Sequence, residues 1–144
     1  MHKRDFVRTG YAVLYFITSI INFSIGLNNP EILRSLSEYA LIPHMGNILS
    51  VLPAWVLQAG LFLFSGYQVM LLLLLLSKGI FVQLGMLGGI LFHLAILPFG
   101  WFNLPNILFM APLLFLVDRE YDTSIPGILI SKLKSGKRKL TLKS

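Results

Sequence analysis

This chain has no cysteine in its 144 residues. That excludes disulfides, thiolate metal sites and any CxxC redox pair. Charge is scarce as well, at 12% of residues, with only six acids. A soluble domain carries about a quarter charged residues, so this composition argues against a surface that faces water. Asp5, Asp118, Glu120 and Asp122 flank the apolar stretches and are expected at the inner surface, balancing the basic flanks. No apolar stretch holds an acid in its centre, so a zinc cage or a carboxylate-bridged di-iron site has no ligands to use.

What the chain does have is apolar length. Hydrophobic residues make up 56% of it, in four long runs: about 6–27, 48–76, 79–99 and 104–117. A membrane span needs roughly 20 mostly apolar residues to cross about 30 Å of hydrocarbon, and the fourth run is short for this. Lys3, Arg4 and Arg8 precede the first run, and Lys78 separates the second from the third. Arg119, Lys132, Lys134, Lys137, Arg138, Lys139 and Lys143 follow the fourth, and only Arg34 falls on the other side. Cytoplasmic segments hold the excess of Lys and Arg, so both ends are expected inside.

The expected fold is therefore all-α: an integral membrane, antiparallel four-helix bundle, N-in and C-in. Residues 1–121 form its membrane domain, and residues 122–144 a basic cytoplasmic tail. The net charge of +6 is accounted for by topology and by attraction to anionic lipids, with no nucleic acid required. The first run is too long for a signal peptide, and Leu27-Asn28-Asn29-Pro30 is a poor cleavage site, so it reads as a retained anchor.

Asn28-Asn29-Pro30-Glu31 is a helix-start signal. Ile32, Leu33, Leu36 and Tyr39 or Ala40 follow at helical spacing, with Arg34 and Glu38 four apart. A short amphipathic helix is expected there, between spans one and two, ending at Ile42-Pro43 and Gly46-Asn47. Ser77-Lys78-Gly79 predicts a tight turn, Pro98 and Gly100 end the third span, and Pro112 is expected to kink the fourth.

Polar residues in hydrocarbon usually face a bundle interior. In the first run Arg8, Tyr11, Tyr15, Thr18 and Asn22 share one stripe. In the second, Gln58, Ser65 and Gln68 do so, and in the third Gln83, Met86, Ile90 and His93. At about 1.5 Å rise per residue, Asn22, Gln58 and His93 are expected at one level. Gln68, Gln83 and Tyr11 or Tyr15 make a second level nearer the cytoplasm. Two readings stay open. These groups either satisfy one another between helices, or line a small polar pocket for a quinone, a lipid or another amphiphile.

His93 is the histidine well inside a span. It suits a quinone hydrogen bond or a proton relay, or else it is a neutral packed side chain. Haem ligation would need Met86 or Met110 as the second axial ligand. Gly85, Gly88 and Gly89 read as a packing face distinct from that of His93. No buried charge pair is expected, which argues against a transporter, and no Ser–His–acid set can be assembled.

The layout resembles a family. Phe23-Ser24-Ile25-Gly26-Leu27-Asn28-Asn29-Pro30-Glu31 closes the first run, an amphipathic segment follows, then a glycine-containing span, a span with Phe92-His93-Leu94, and a short last span. From Arg8 to Val117 this is similar to the DoxX-like family of small four-span bacterial membrane proteins. The resemblance implies a bacterial cytoplasmic (inner) membrane. It also implies a membrane-anchoring or quinone-facing subunit of a redox system, with a soluble or membrane protein partner. A non-enzymatic assembly or interaction factor is the alternative. Only His93 carries over as a family position. No catalytic residue is assigned, no cofactor motif is evident, and a quinone is the ligand kept open.

Overall fold

A computed structural model describes residues 3–131. The expectations for Lys132, Lys134, Lys137, Arg138, Lys139 and Lys143 lie outside the described residues. Those described form helices and no strand. They are α1 (Lys3–Asn28), α2 (Ile32–Ser35), α3 (Pro43–Val51), α4 (Ala54–Leu76), α5 (Ile80–Ile96) and α6 (Asn106–Leu116), with a last helical stretch, α7, over 125–131. Short 3-10 turns occupy Ser37–Tyr39, Leu97–Phe99 and Trp101–Asn103.

Three segments are long and apolar enough to cross a membrane: Lys3–Asn28, Ala54–Leu76 and Ile80–Phe99. Their outward faces are apolar too. Leu63 is 74% exposed, Trp55 70% and Leu91 63%, a surface that belongs in lipid and not in water. These helices mark a membrane protein. α6 is shorter, at 11 residues, which is about 16 Å of rise or half a hydrocarbon core.

α4 is apolar nearly all round, and Ser65 and Gln68 among leucines mark its inward side. Leu57, Leu61, Ser65, Gln68, Leu71 and Leu75 are its buried residues, at steps of three and four. α1 packs along α4, α4 against α5, and α5 against α6, whereas α6 and α1 meet only sparsely. The α1–α4 seam is polar as well as close. Ser65 donates to the Ser19 carbonyl at 2.9 Å, and Gln58 Nε2 to the Gly26 carbonyl at 2.9 Å. At the α4–α5 seam a Cβ on Gly85 would lie 2.9 Å from Leu74 Cβ and 3.2 Å from the Leu75 backbone nitrogen. The helices approach because that Cβ is missing. Gly79 takes φ 61° in the turn between them, a conformation glycine adopts without strain.

Several expectations are corrected. The run over 48–76 is broken at Leu52-Pro53, where Leu52 is extended at ψ 137°. Proline disfavours a helical conformation in the residue before it and lacks the N–H that would continue the ladder. Residues 48–51 therefore belong to α3, which begins at Pro43 and passes through Gly46-Asn47 without stopping. The loop helix from Ile32 is only four residues long, and Arg34 pairs with Glu31 at 2.5 Å and not with Glu38. Gly89 does not face away from His93. It lies one turn before it, on the side that meets Tyr15.

A buried charge pair is present where none was expected. Arg8 is fully buried, its Nε 3.8 Å from the Asp5 carboxylate. Its Nη2 donates to the Thr123 carbonyl at 2.7 Å, and its guanidinium lies 5.1 Å from the centre of the Tyr121 ring. Burial raises the Tyr121 hydroxyl pKa, and the Arg8 and Arg4 charges pull it back. Tyr121 and Ile125 are buried, so the described residues just after α6 dock on the start of α1.

Gly85→Val should force α4 and α5 apart at Leu74 and Leu75. We expect a loss of about 1–3 kcal/mol, the range for overpacking a close contact. Unfolding in mixed detergent micelles measures it, with Gly66→Val, whose Cβ would meet nothing within 4 Å, as the neutral control.

Candidate functional site: a neutral polar chamber

Between α1, α4, α5 and α6 lies a cavity of about 590 Å³. Leu33 and Leu36 from the α2 segment and Leu49 and Leu52 from the α3 segment line it as well, so the broken loop roofs the bundle. Most of the wall is apolar. Its polar side chains are Tyr15, Thr18, Asn22, Gln68, His93, Asn103 and Asn106, and no Asp, Glu, Lys or Arg lines it.

His93 is the junction. Its Nδ1 lies 2.8 Å from Asn106 Oδ1, and its Nε2 lies 3.2 Å from the Tyr15 hydroxyl. Asn106 Nδ2 donates to the Asn103 carbonyl at 2.9 Å, and Asn103 Nδ2 to the Ile96 carbonyl at 2.8 Å. These contacts assign the tautomer. The Asn106 amide nitrogen is engaged with a carbonyl, so its oxygen faces His93 and accepts from Nδ1–H. Nε2 is then an acceptor, and Tyr15 donates to it. One directional chain thus runs from α1 through α5 into the start of α6. The Phe109 ring stacks on His93 at 5.9 Å and 19°, and Phe92 meets the Tyr15 ring edge-on at 6.3 Å.

A second polar group sits across α1 and α4. Asn22 Nδ2 donates to Gln68 Oε1 at 3.0 Å. The Gln68 amide nitrogen and the Asn22 carbonyl oxygen have no hydrogen-bond partner among the described residues. They supply a donor and an acceptor beside the cavity.

The six expected site residues therefore divide. Tyr15, Asn22, Gln68 and His93 line the chamber together. Gln58 does not, because its amide is used at the Gly26 carbonyl. Gln83 does not either: it is half-buried near the other end of α5, 3.4 Å from the Arg119 carbonyl. The two expected levels are also regrouped. Asn22 pairs with Gln68 and His93 with Tyr15, because a glutamine or tyrosine side chain reaches past one helical turn. Asn103 and Asn106 are the additions. Their signal was an asparagine pair three apart around Pro105, at the start of a helix and hence on one side of it.

No family model, no curated protein and no solved structure matches this chain.

Asn106→Leu should remove the acceptor that holds the His93 tautomer. Nitrogen NMR of labelled histidine should report Nδ1–H in the parent chain and a mixture of tautomers in the variant. An Nε2–H tautomer in the parent chain would contradict the assigned direction.

Proposed function

We propose that this chain is a four-span, DoxX-like protein of a bacterial cytoplasmic membrane, with both ends inside. Its chamber would take the head of a quinone, and the chain would serve as a quinone-facing or membrane-anchoring subunit of a redox system. The carrying observation is the neutral Tyr15–His93–Asn106 chain opening on a cavity of about 590 Å³, a size within the roughly 300–1,000 Å³ of small-molecule sites. A quinone head offers carbonyl acceptors to donors such as the Gln68 amide. Its reduced form offers hydroxyls to acceptors such as the Tyr15 oxygen and the Asn22 carbonyl. Exchange between α1 and α5 needs no charged group. The basic residues after Arg119 would hold anionic lipid headgroups on the inner face.

A second reading is favoured by one specific observation. The chamber holds no carboxylate, lysine or thiol, so the chain alone offers few groups for covalent catalysis. A non-enzymatic assembly or interaction factor, which binds an amphiphile or a partner protein without acting on it, fits that equally.

Two measurements test the proposal. In proteoliposomes a short-chain benzoquinone should bind the parent chain. His93→Ala or Gln68→Leu should weaken that binding by about 5–10-fold, the effect of one lost hydrogen bond. Gln83→Ala should leave it unchanged. Equal binding by all four chains would remove the chamber from the account. The absence of native cysteine makes topology directly testable. Lys78→Cys should react with an impermeant maleimide only from the cytoplasmic side, and Glu38→Cys only from the other. Labelling of both from one side would overturn the span count.

A further inference from the structure

The chamber closes poorly on one side. α1 and α6 are the two ends of the chain of packed helices, and their mutual contact is sparse. A second cavity, of about 650 Å³, lies between them on the outer surface. Val7, Gly10, Tyr11 and Leu14 form its α1 wall, with Leu108 and Pro112 opposite. It contains no charged side chain. Leu14 and Phe109 line both this groove and the chamber. The partition is thin: the Leu14 side chain, the Phe109 ring that stacks on His93, and the hydrogen bond from the Tyr11 hydroxyl to the Phe109 carbonyl. A backbone feature keeps the groove open. A Cβ on Gly10 would meet nothing within 4 Å, so the missing side chain there serves no helix contact.

We propose that this groove is a lateral portal through which a long-tailed, electrically neutral amphiphile enters from the bilayer. Its head passes Leu14 and Phe109 into the chamber while its tail lies between α1 and α6. This rests on the quinone-head reading above and adds the route and the ligand class. Three observations support it. The chamber has no cation to neutralise a phosphate or carboxylate, so an ionic head would be buried without a partner. A tail long enough to reach through roughly 15 Å of one leaflet would run well past the polar groups around His93, so a tailed ligand needs an apolar course away from them. The groove is apolar and shares Leu14 and Phe109 with the polar site. Lipid tails are as apolar as the groove, so the groove adds little affinity. Its contribution is steric passage.

The test uses two probes with one head: a benzoquinone bearing a single isoprene unit and the same head bearing eight. Binding is measured in nanodiscs for the parent chain, Gly10→Trp and Gly66→Trp. The last adds the same bulk at a glycine whose Cβ also meets nothing. Gly10→Trp fills the groove and should weaken the long-tailed probe by about tenfold or more, as an overpacked contact does. The short probe should bind within about twofold of the parent chain, and Gly66→Trp should bind both as the parent does. If Gly10→Trp proves unstable to heating, Leu108→Trp, at a position 75% exposed, fills the groove from the other wall. Unchanged long-probe binding in the groove variants, or an equal loss of both probes, overturns the portal. If the parent chain binds neither probe, the chamber reading itself fails, and the portal falls with it.

Discussion

Hydrocarbon offers no water to a buried polar group, so each must find its partner inside the protein. In this chain that constraint falls on one histidine. His93 has one partner on α1 and one on α6, through Tyr15 and Asn106. Because α6 is only 11 residues long, its first residue lies deep enough to reach the histidine. Gly89 serves the same point, since its missing side chain leaves room for the Tyr15 hydroxyl. Removing any one of these groups leaves another buried donor or acceptor unsatisfied, which typically costs about 1–3 kcal/mol.

A different solution is used near the first residues of α1. There the buried group is the permanently charged Arg8, and it is met by a carboxylate, a carbonyl and an aromatic face together. A lone charge there would cost several kcal/mol after relaxation. The cluster ties the chain after α6 back to α1 and gives the bundle a closed end. The chamber, by contrast, has no charge and one thinly walled side. The molecule thus separates an ionic end from a neutral interior. The functional proposal rests on the neutral side of that division, where Tyr15, His93 and Asn106 meet the cavity.

Much of this was legible in the sequence because hydropathy and helical period report burial directly. α1, α4, α5 and the Ser77–Gly79 turn follow from apolar length, three-and-four spacing and glycine. Tyr15, Asn22, Gln68 and His93 follow from the cost of polar groups in lipid. Other features escape those signals for physical reasons. Hydropathy runs straight through Leu52-Pro53, since both neighbours are apolar, and only the backbone preference of a residue before proline breaks the helix. Helical spacing ranks Gln58 and Gln83 with the site, although each spends its amide on a backbone carbonyl elsewhere. Asp5 looks like a flanking surface charge, and helical spacing turns Arg8 inward without telling that the two pair beneath the segment around Tyr121. Asn106 looks like a span boundary because nothing local tells that α6 starts beside His93.

The central claim is that the chamber holds the head of a neutral amphiphile. Native mass spectrometry of the protein, released from its own membranes in mild detergent, tests it most directly. The account predicts a one-to-one adduct with the mass of a neutral tailed molecule such as a quinone, retained in the parent chain and lost from His93→Ala. Phospholipid adducts alone, present equally in both chains, would contradict it.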